Sequence, residues 1–318
     1  MSISRRKFLK QSLAAGMLAG MSLTPFQVDA KSRKTHGKGG IAKRVLIVTF
    51  DGIRVDALAK ARTPNIDKLI REGAASMATR NVIPTVTIPN YTSHLTGAGP
   101  EIHGVVDNNW EVNDYKIEAV QKDADGYFPS SFSVLKEKAP DVKTAFFWNW
   151  KPLIKTYNPK SFDETFCAEE DEYALLCDKA FDFISKNRDS RQFVFLYTGY
   201  TDNVGHRKSW MSDDYIKTIE EEDAKIGALF DKLKAAGLYD GTHIMFFSDH
   251  GGVGKGHGGV FCPEVMIVPW VLRGPGIKKG FEITEPNNTV NTASTVLRLL
   301  GVEQPLCWTG KVPESIFE

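Results

Sequence analysis

Seven consecutive residues, Arg44 to Phe50 (RVLIVTF), carry an apolar or β-branched side chain at every position after the first and end on Asp51-Gly52. A strand exposed on one face alternates with period two, whereas an unbroken run of this kind is buried on both faces, as in a parallel sheet covered by helices on each side. The rest of the chain must supply those helices. Thr63-Pro64 has the form of a cap and a first helical residue, ahead of a helix carrying Leu69 and Ile70. Strand-like runs return at 143–148, 192–197, 243–248 and 266–272, among helical patterns at 174–186, 213–236 and 292–300. This alternation predicts an α/β fold with a doubly wound, mostly parallel sheet flanked by helices. The segment 109–140, rich in Asp and aromatic residues, lacks the rhythm and is expected to form a small cap.

A chain of 318 residues buries a sizeable core, and 43–318 is expected to be a single domain. Ahead of it, Ser4-Arg5-Arg6-Lys7-Phe8-Leu9-Lys10 is a basic start with paired arginines, residues 11–23 are modestly apolar, and Val28-Asp29-Ala30 has the small-residue spacing of a cleavage site. Residues 1–30 resemble a bacterial twin-arginine export signal, and 31–42 form a basic, glycine-rich lead-in. Gly16, Gly20, Ser22 and Pro25 break the apolar stretch, which falls short of the roughly 20 residues needed to span a bilayer. The mature protein is therefore expected to be periplasmic or extracellular, without a membrane anchor. Lys and Arg number 40 against 39 Asp and Glu, and removing Arg5, Arg6, Lys7, Lys10 and Asp29 leaves 36 against 38. Such a balance gives no basic face for a nucleic-acid polymer. Cys167, Cys177, Cys262 and Cys307 are open to two readings: two disulfides in one of three pairings, or small buried hydrophobes. None lies in a C-x-x-C pair, which sets aside thiolate zinc and thioredoxin-like redox chemistry. Nothing in the chain sets an oligomeric state.

Ligands of doubly wound sheets sit beyond the carboxyl ends of the strands. Three strands end there in metal-ligand residue types: Asp51 after Val48-Thr49-Phe50, Asp202 and His206 after 192–197, and Asp249-His250 after 243–248. Gly256-His257-Gly258 follows soon after. Taken singly, Asp51-Gly52 is as much a turn as a ligand, and Asp202 with His206 as much a solvated i,i+4 pair. Together the six supply three carboxylates and three imidazoles, a donor set that suits two zinc ions or a similar divalent pair. His94 and His103 read as structural, and His36 and His243 are not assigned to metal.

Between the first two ligand groups lies Pro84-Thr85-Val86-Thr87-Ile88-Pro89-Asn90-Tyr91, followed by His103-Gly104-Val105-Val106-Asp107-Asn108. Read in order with Asp51-Gly52, Asp202-Asn203-Val204-Gly205-His206 and Ser248-Asp249-His250-Gly251, these motifs resemble the alkaline phosphatase superfamily. Within it they are similar to the type I phosphodiesterase / nucleotide pyrophosphatase family. The resemblance extends through Asn291–Leu297. It implies an alkaline phosphatase-like fold, a metal-dependent hydrolase, Thr87 as nucleophile and Asn108 as the amide that holds a phosphoryl oxygen. It also implies that Asp51, Asp249 and His250 bind the ion that activates Thr87, and that Asp202, His206 and His257 bind the ion on the leaving-group side. This chain departs from the family pattern at Ile88, where Phe is usual, and at Tyr91, which directly follows Asn90. His257 also follows His250 after only a few residues, a spacing closer to that of related phosphotransferases and phosphonate hydrolases.

Threonine needs a metal ion to become a nucleophile at neutral pH, and two ions can hold the attacking and leaving oxygens of an in-line displacement. The expected reaction is cleavage of a phosphodiester or pyrophosphate bond in a small-molecule phosphoester, through a covalent phospho-threonine. Thr85 is the rival nucleophile, and a helix cap is the alternative role for Thr87. A sulfatase would need an oxidisable Cys or Ser and an Arg in this turn, and neither is present. A phosphomonoesterase, a phosphonate hydrolase and a phosphoethanolamine-type transferase remain alternatives, with a non-catalytic binding protein behind them. Trp110, Trp148 and Trp150 are candidate substrate-binding residues, with closure of the core as the competing reading.

Overall fold

β1 (Arg44–Phe50) runs through the interior of an eight-stranded sheet in the computed structural model, which describes residues 40–318. The leader expected at 1–30, and residues 31–39 of the lead-in, lie outside the described residues. The remaining strands are β2 (Gly73–Arg80), β3 (Lys143–Trp148), β4 (Glu164–Cys167), β5 (Gln192–Thr198), β6 (Thr242–Phe247), β7 (Ile267–Arg273) and β8 (Phe281–Glu282). Their order is β4-β3-β5-β1-β6-β7-β2-β8. β7 alone runs against the others, pairing antiparallel with both β6 and β2. β1 sits in parallel register between β5 and β6, with Thr49 opposite Tyr197 on one side and Phe247 on the other.

Helices cover both faces: α1 (Val55–Lys60), α2 (Pro64–Glu72), α3 (Thr87–Thr96), α4 (Pro100–His103), α5 (Ser131–Lys138), α6 (Tyr173–Lys186), α7 (Tyr200–Lys208), α8 (Asp213–Ala235), α9 (Pro263–Met266) and α10 (Asn291–Leu299). Because side chains alternate along a strand, Leu46, Val48 and Phe50 pack with α1, α2, α6 and α8, while Val45 and Ile47 pack with α3, α5 and α10. All seven β1 residues are buried, as the unbroken run requires. Burying a large apolar side chain contributes about 1.5–3 kcal/mol, so the two clusters anchor the sheet from opposite sides. No helix among the described residues is long and apolar enough to cross a membrane.

Two local expectations are corrected. Thr63 precedes α2 but its side chain makes no cap hydrogen bond. Instead the Asp223 carboxylate of α8 accepts from the backbone N–H groups of Asn65 (3.2 Å) and Ile66 (2.8 Å). The segment 109–140 also divides in two. Residues 104–130 carry no named helix or strand, whereas 131–138 form α5, whose Phe132 and Leu135 belong to the core. The four cysteines are unpaired, and Cys177 is buried.

Candidate active site

Three neighbouring parallel strands, β5, β1 and β6, deliver the candidate ligands at their carboxyl ends, the place where a parallel sheet presents its loops. Asp51 follows β1 directly, Asp249-His250 follow β6, and Asp202 and His206 lie one turn apart on α7. His257 arrives on the loop after β6. The six form two groups, each with ligand atoms within 4.8 Å of one another: Asp51, Asp249 and His250, and Asp202, His206 and His257. In the first, His250 Nε2 lies 3.5 Å from Asp51 Oδ1 and 3.2 Å from Asp249 Oδ2. In the second, His206 Nε2 lies 3.4 Å from Asp202 Oδ2 and 3.2 Å from His257 Nε2. The groups adjoin, since the His250 and His257 rings stack with centroids 3.7 Å apart. Gly52, at φ +72°, makes the junction possible: a Cβ there would lie 2.9 Å from Asp202 Oδ1.

Each histidine is fixed by a backbone carbonyl. His206 Nδ1 donates to Lys255 O (2.9 Å), His250 Nδ1 to Gly251 O (2.9 Å) and His257 Nδ1 to Thr85 O (2.7 Å). This tautomer turns every Nε2 lone pair toward the cluster, the orientation a metal ligand needs. Asp51 Oδ1, Asp202 Oδ1 and Asp249 Oδ2 are buried without a hydrogen-bond partner. Unpartnered carboxylate oxygens and two facing imidazole nitrogens are costly in a dry site unless cations satisfy them. The residues therefore fit divalent ions.

The titration shifts follow from the same crowding. Burial, reinforced by the charge of Asp249, holds the Asp51 carboxyl well above its ordinary value. Burial and then the charge of Asp202 raise Asp249 to about 7. For Asp202 burial acts upward, but the His206 hydrogen bond and the neighbouring imidazoles outweigh it and lower the carboxyl. Burial lowers His250, and it lowers His257 to about 4 with His250 alongside. His206, half-exposed, is raised by its hydrogen bond to Asp202.

Thr87 is the first residue of α3, with Val86 in the capping position, so the cap role considered for Thr87 is not the one seen. Its hydroxyl stands 3.4 Å from His250 Nε2. Asn108 Oδ1 accepts from the Ile88 N–H at 2.8 Å, so that N–H is engaged, while Asn108 lines the same cavity as Thr87 and has its amide N–H₂ left to donate. The rival Thr85 is occupied: its hydroxyl donates to His257 O (2.8 Å), and its carbonyl receives His257 Nδ1. Asn90 stitches the turn together, accepting from Val82 N–H and donating to the Pro84 and Val86 carbonyls.

Thr87 and Asn108 line a cavity of about 210 Å³ together with Asp51, Asp202, His206, His257, Tyr197, Asn203 and Trp150. Only one of the three candidate tryptophans is there. Trp110 is packed with Ile88 and Val105 in a small cluster, and Trp148 is buried in the core on its strand. Both lost the competition to apolar packing, the stronger default for a large ring. His94 and His103 are fully buried and hydrogen-bonded, to Thr292 and Ser248 and to Ser93 respectively. Burial lowers both to about 3. His243 donates to Pro275 O, away from the cluster.

Sequence reasoning missed Tyr197, whose hydroxyl donates to Asp51 Oδ2 at 2.6 Å. It also missed Asn81, which donates to the carbonyls of Asp249 and Val265.

The sequence model of the type I phosphodiesterase / nucleotide pyrophosphatase family matches residues 45–255. Over 214 residues the chain is 26% identical to a bis(5'-adenosyl)-triphosphatase enpp4 of Xenopus laevis, a match covering 65% of this chain and 47% of that protein. It is 28% identical over 223 residues to ectonucleotide pyrophosphatase/phosphodiesterase family member 3 of Bos taurus, covering 65% of this chain and 24% of the other. The chain thus spans about half of the first relative's length and a quarter of the second's. Murine ectonucleotide pyrophosphatase / phosphodiesterase 5, solved as an inactive variant in complex with AMP, shares the fold. Its TM-score is 0.72 at 17% identity, covering 86% of this chain and 100% of that chain.

Proposed function

Because the chain belongs to the type I phosphodiesterase / nucleotide pyrophosphatase family, we propose that it is an exported two-metal phosphohydrolase that cleaves phosphodiester or pyrophosphate bonds through Thr87. One observation carries this reading: the Thr87 hydroxyl lies at the edge of one complete ligand group, facing the cavity that the second group also lines. Asp51, Asp249 and His250 would hold one ion, and Asp202, His206 and His257 the other. The mixed carboxylate and imidazole donors suit zinc. Ions bound there would lower the pKa of a hydroxyl and neutralise charge on the attacking and leaving oxygens.

The chain's own groups do the rest. The bond from Thr87 Oγ1 to phosphorus forms as the bond to the leaving oxygen breaks; that oxygen keeps the electron pair, and the hydroxyl's proton passes to solvent. Water then cleaves the phospho-threonine, regenerating the hydroxyl and releasing the second product. The Asn108 amide N–H₂ donates to an equatorial phosphoryl oxygen, and the N-terminus of α3 favours the negative charge. Among the described residues, no Lys or Arg lines the cavity. That suits a singly charged diester better than a doubly charged monoester. Export rests on the paired arginines Arg5 and Arg6 within the basic start and the apolar stretch after them.

The test is hydrolysis of bis-p-nitrophenyl phosphate beside p-nitrophenyl phosphate, with zinc and after chelation, for the wild type and Thr87→Ala. Chelator-sensitive preference for the diester, abolished in Thr87→Ala with its metal content intact, is the expected result. Retained turnover in Thr87→Ala overturns the covalent mechanism, and preference for the monoester overturns the substrate class.

A further inference from the structure

Between the two halves of this site sits an indole for which the two-metal chemistry gives no role. Trp210 lies in the short connection from α7 to α8 and is 4% exposed. Its Nε1–H donates to the Gly52 carbonyl at 2.8 Å, immediately after Asp51. Its ring meets the His206 ring edge-on, with centroids 4.9 Å apart, and approaches that of His257 at 5.8 Å. Its backbone N–H donates to Gly254 O, on the loop joining His250 to His257.

Three further features show that the chain is shaped around this ring. A Cβ on Gly205, the residue before His206, would lie 2.7 Å from the indole, and a Cβ on Gly252 would lie 2.2 Å from it. Ser209 (φ 83°) and Met211 (φ 68°), on either side of Trp210, are the only non-glycine residues with positive φ among the described residues. Such conformations persist only where the surroundings over-determine them. Tyr215 at the start of α8 donates a second hydrogen bond to Gly52 O, at 2.6 Å.

We infer that Trp210 is a positioning residue that holds the two metal-ligand groups in register, its N–H fixing the turn after Asp51 while its ring fixes His206 and His257. The turn after Asp51, the end of α7 at His206 and the 250–257 loop come from three separate stretches of chain, and this side chain meets Gly52 O, the His206 ring and the His257 ring. The inference rests on the reading of the two groups as metal sites. It does not depend on which phosphoester is cleaved.

The experiment is zinc titration of the full chain against a chromophoric chelator, without substrate, for wild type, Trp210→Phe, Trp210→Ala and Ser209→Gly. Partners behind metal ligands typically contribute about 10–100-fold in affinity. Trp210→Ala is expected to weaken zinc binding by about that factor at both groups, whereas His257→Ala weakens one. Phenylalanine keeps the ring contacts and loses only the N–H, so Trp210→Phe should restore the Asp202, His206 and His257 group and leave the Asp51 group weakened. Ser209→Gly, which relieves the backbone, should bind as wild type does. Wild-type affinity at both groups in Trp210→Ala overturns the inference. If the alanine variant does not fold, wild-type binding in Trp210→Phe overturns it instead. A wild type that binds no zinc overturns the metal-site reading and this inference with it. A wild type that binds two zinc ions but hydrolyses neither p-nitrophenyl ester overturns the proposed activity alone.

Discussion

At the scale of single residues, the site assigns each donor and acceptor a separate task. Asn108 commits its carbonyl oxygen to the Ile88 N–H and keeps its amide for the cavity. Asn108→Asp preserves that acceptor and replaces the amide donor with an oxygen. Its kcat on the diester should fall by about 10²–10³, the usual loss for one preorganised donor, with the melting temperature little changed. Undiminished kcat in this variant removes Asn108 from the charge-stabilising role. The six ligand candidates were legible only as a set: Asp51-Gly52 alone reads equally as a turn and Asp202 with His206 as a solvated pair, but in order they gather one donor set beyond the ends of buried strands. Thr87 was separable from Thr85 only by the resemblance of its turn; the structure adds that Thr85 is fully used on His257. Tyr197 was not legible, because its contact with Asp51 depends on the β1–β5 register, a property of two distant segments together. Trp110 and Trp148 misled for the opposite reason: ring chemistry suits stacking and core packing alike, and sequence does not separate them from Trp150, which lines the cavity.

Whole elements show the same division between local signal and long-range pairing. The β1, β3, β5, β6 and β7 runs were visible because burial on both faces leaves no polar alternation. β2 (GAASMATR) was invisible, since Thr79 alone in it carries the β-branched or aromatic signal that marks a strand. It forms because β7 offers it an antiparallel partner. At α2 the sequence suggested a cap from the adjacent Thr63, whereas the helix end is satisfied by Asp223 from α8. Hydrogen bonds to a charged acceptor contribute about 1.5–3 kcal/mol, against about 1 kcal/mol for a typical neutral one. Urea unfolding should therefore show Asp223→Ala destabilised by about 2–3 kcal/mol and Thr63→Ala by about 1 kcal/mol or less. Equal losses would place the cap back on Thr63.

Across the whole molecule, the buried carboxylates Asp51 and Asp249, with the partly buried Asp202 beside them at one end of the sheet, make stability depend on what neutralises them. In metal-free protein, burial raises Asp51 and Asp249 above their unfolded values, Asp249 to about 7. Protons stabilise these groups at low pH, and that contribution is lost as pH rises through the folded values. Metal ions compete with the same protons, so their stabilising effect runs in the other direction. The rise in melting temperature on adding zinc should be small at pH 5 and grow toward pH 8. A zinc-induced rise that is constant across this range would show that these carboxylates do not bind the ion.

The placement of β1 also bears on how the protein is made. β1 precedes every other strand among the described residues, yet its two neighbours are residues 192–198 and 242–247. Until those residues emerge it is an apolar ribbon with no partner on either edge, awaiting a long-range pairing that is slow to form and open to aggregation in the meantime. The centre of the sheet therefore closes only after β6 has left the ribosome, and the nascent β1 must be shielded until then.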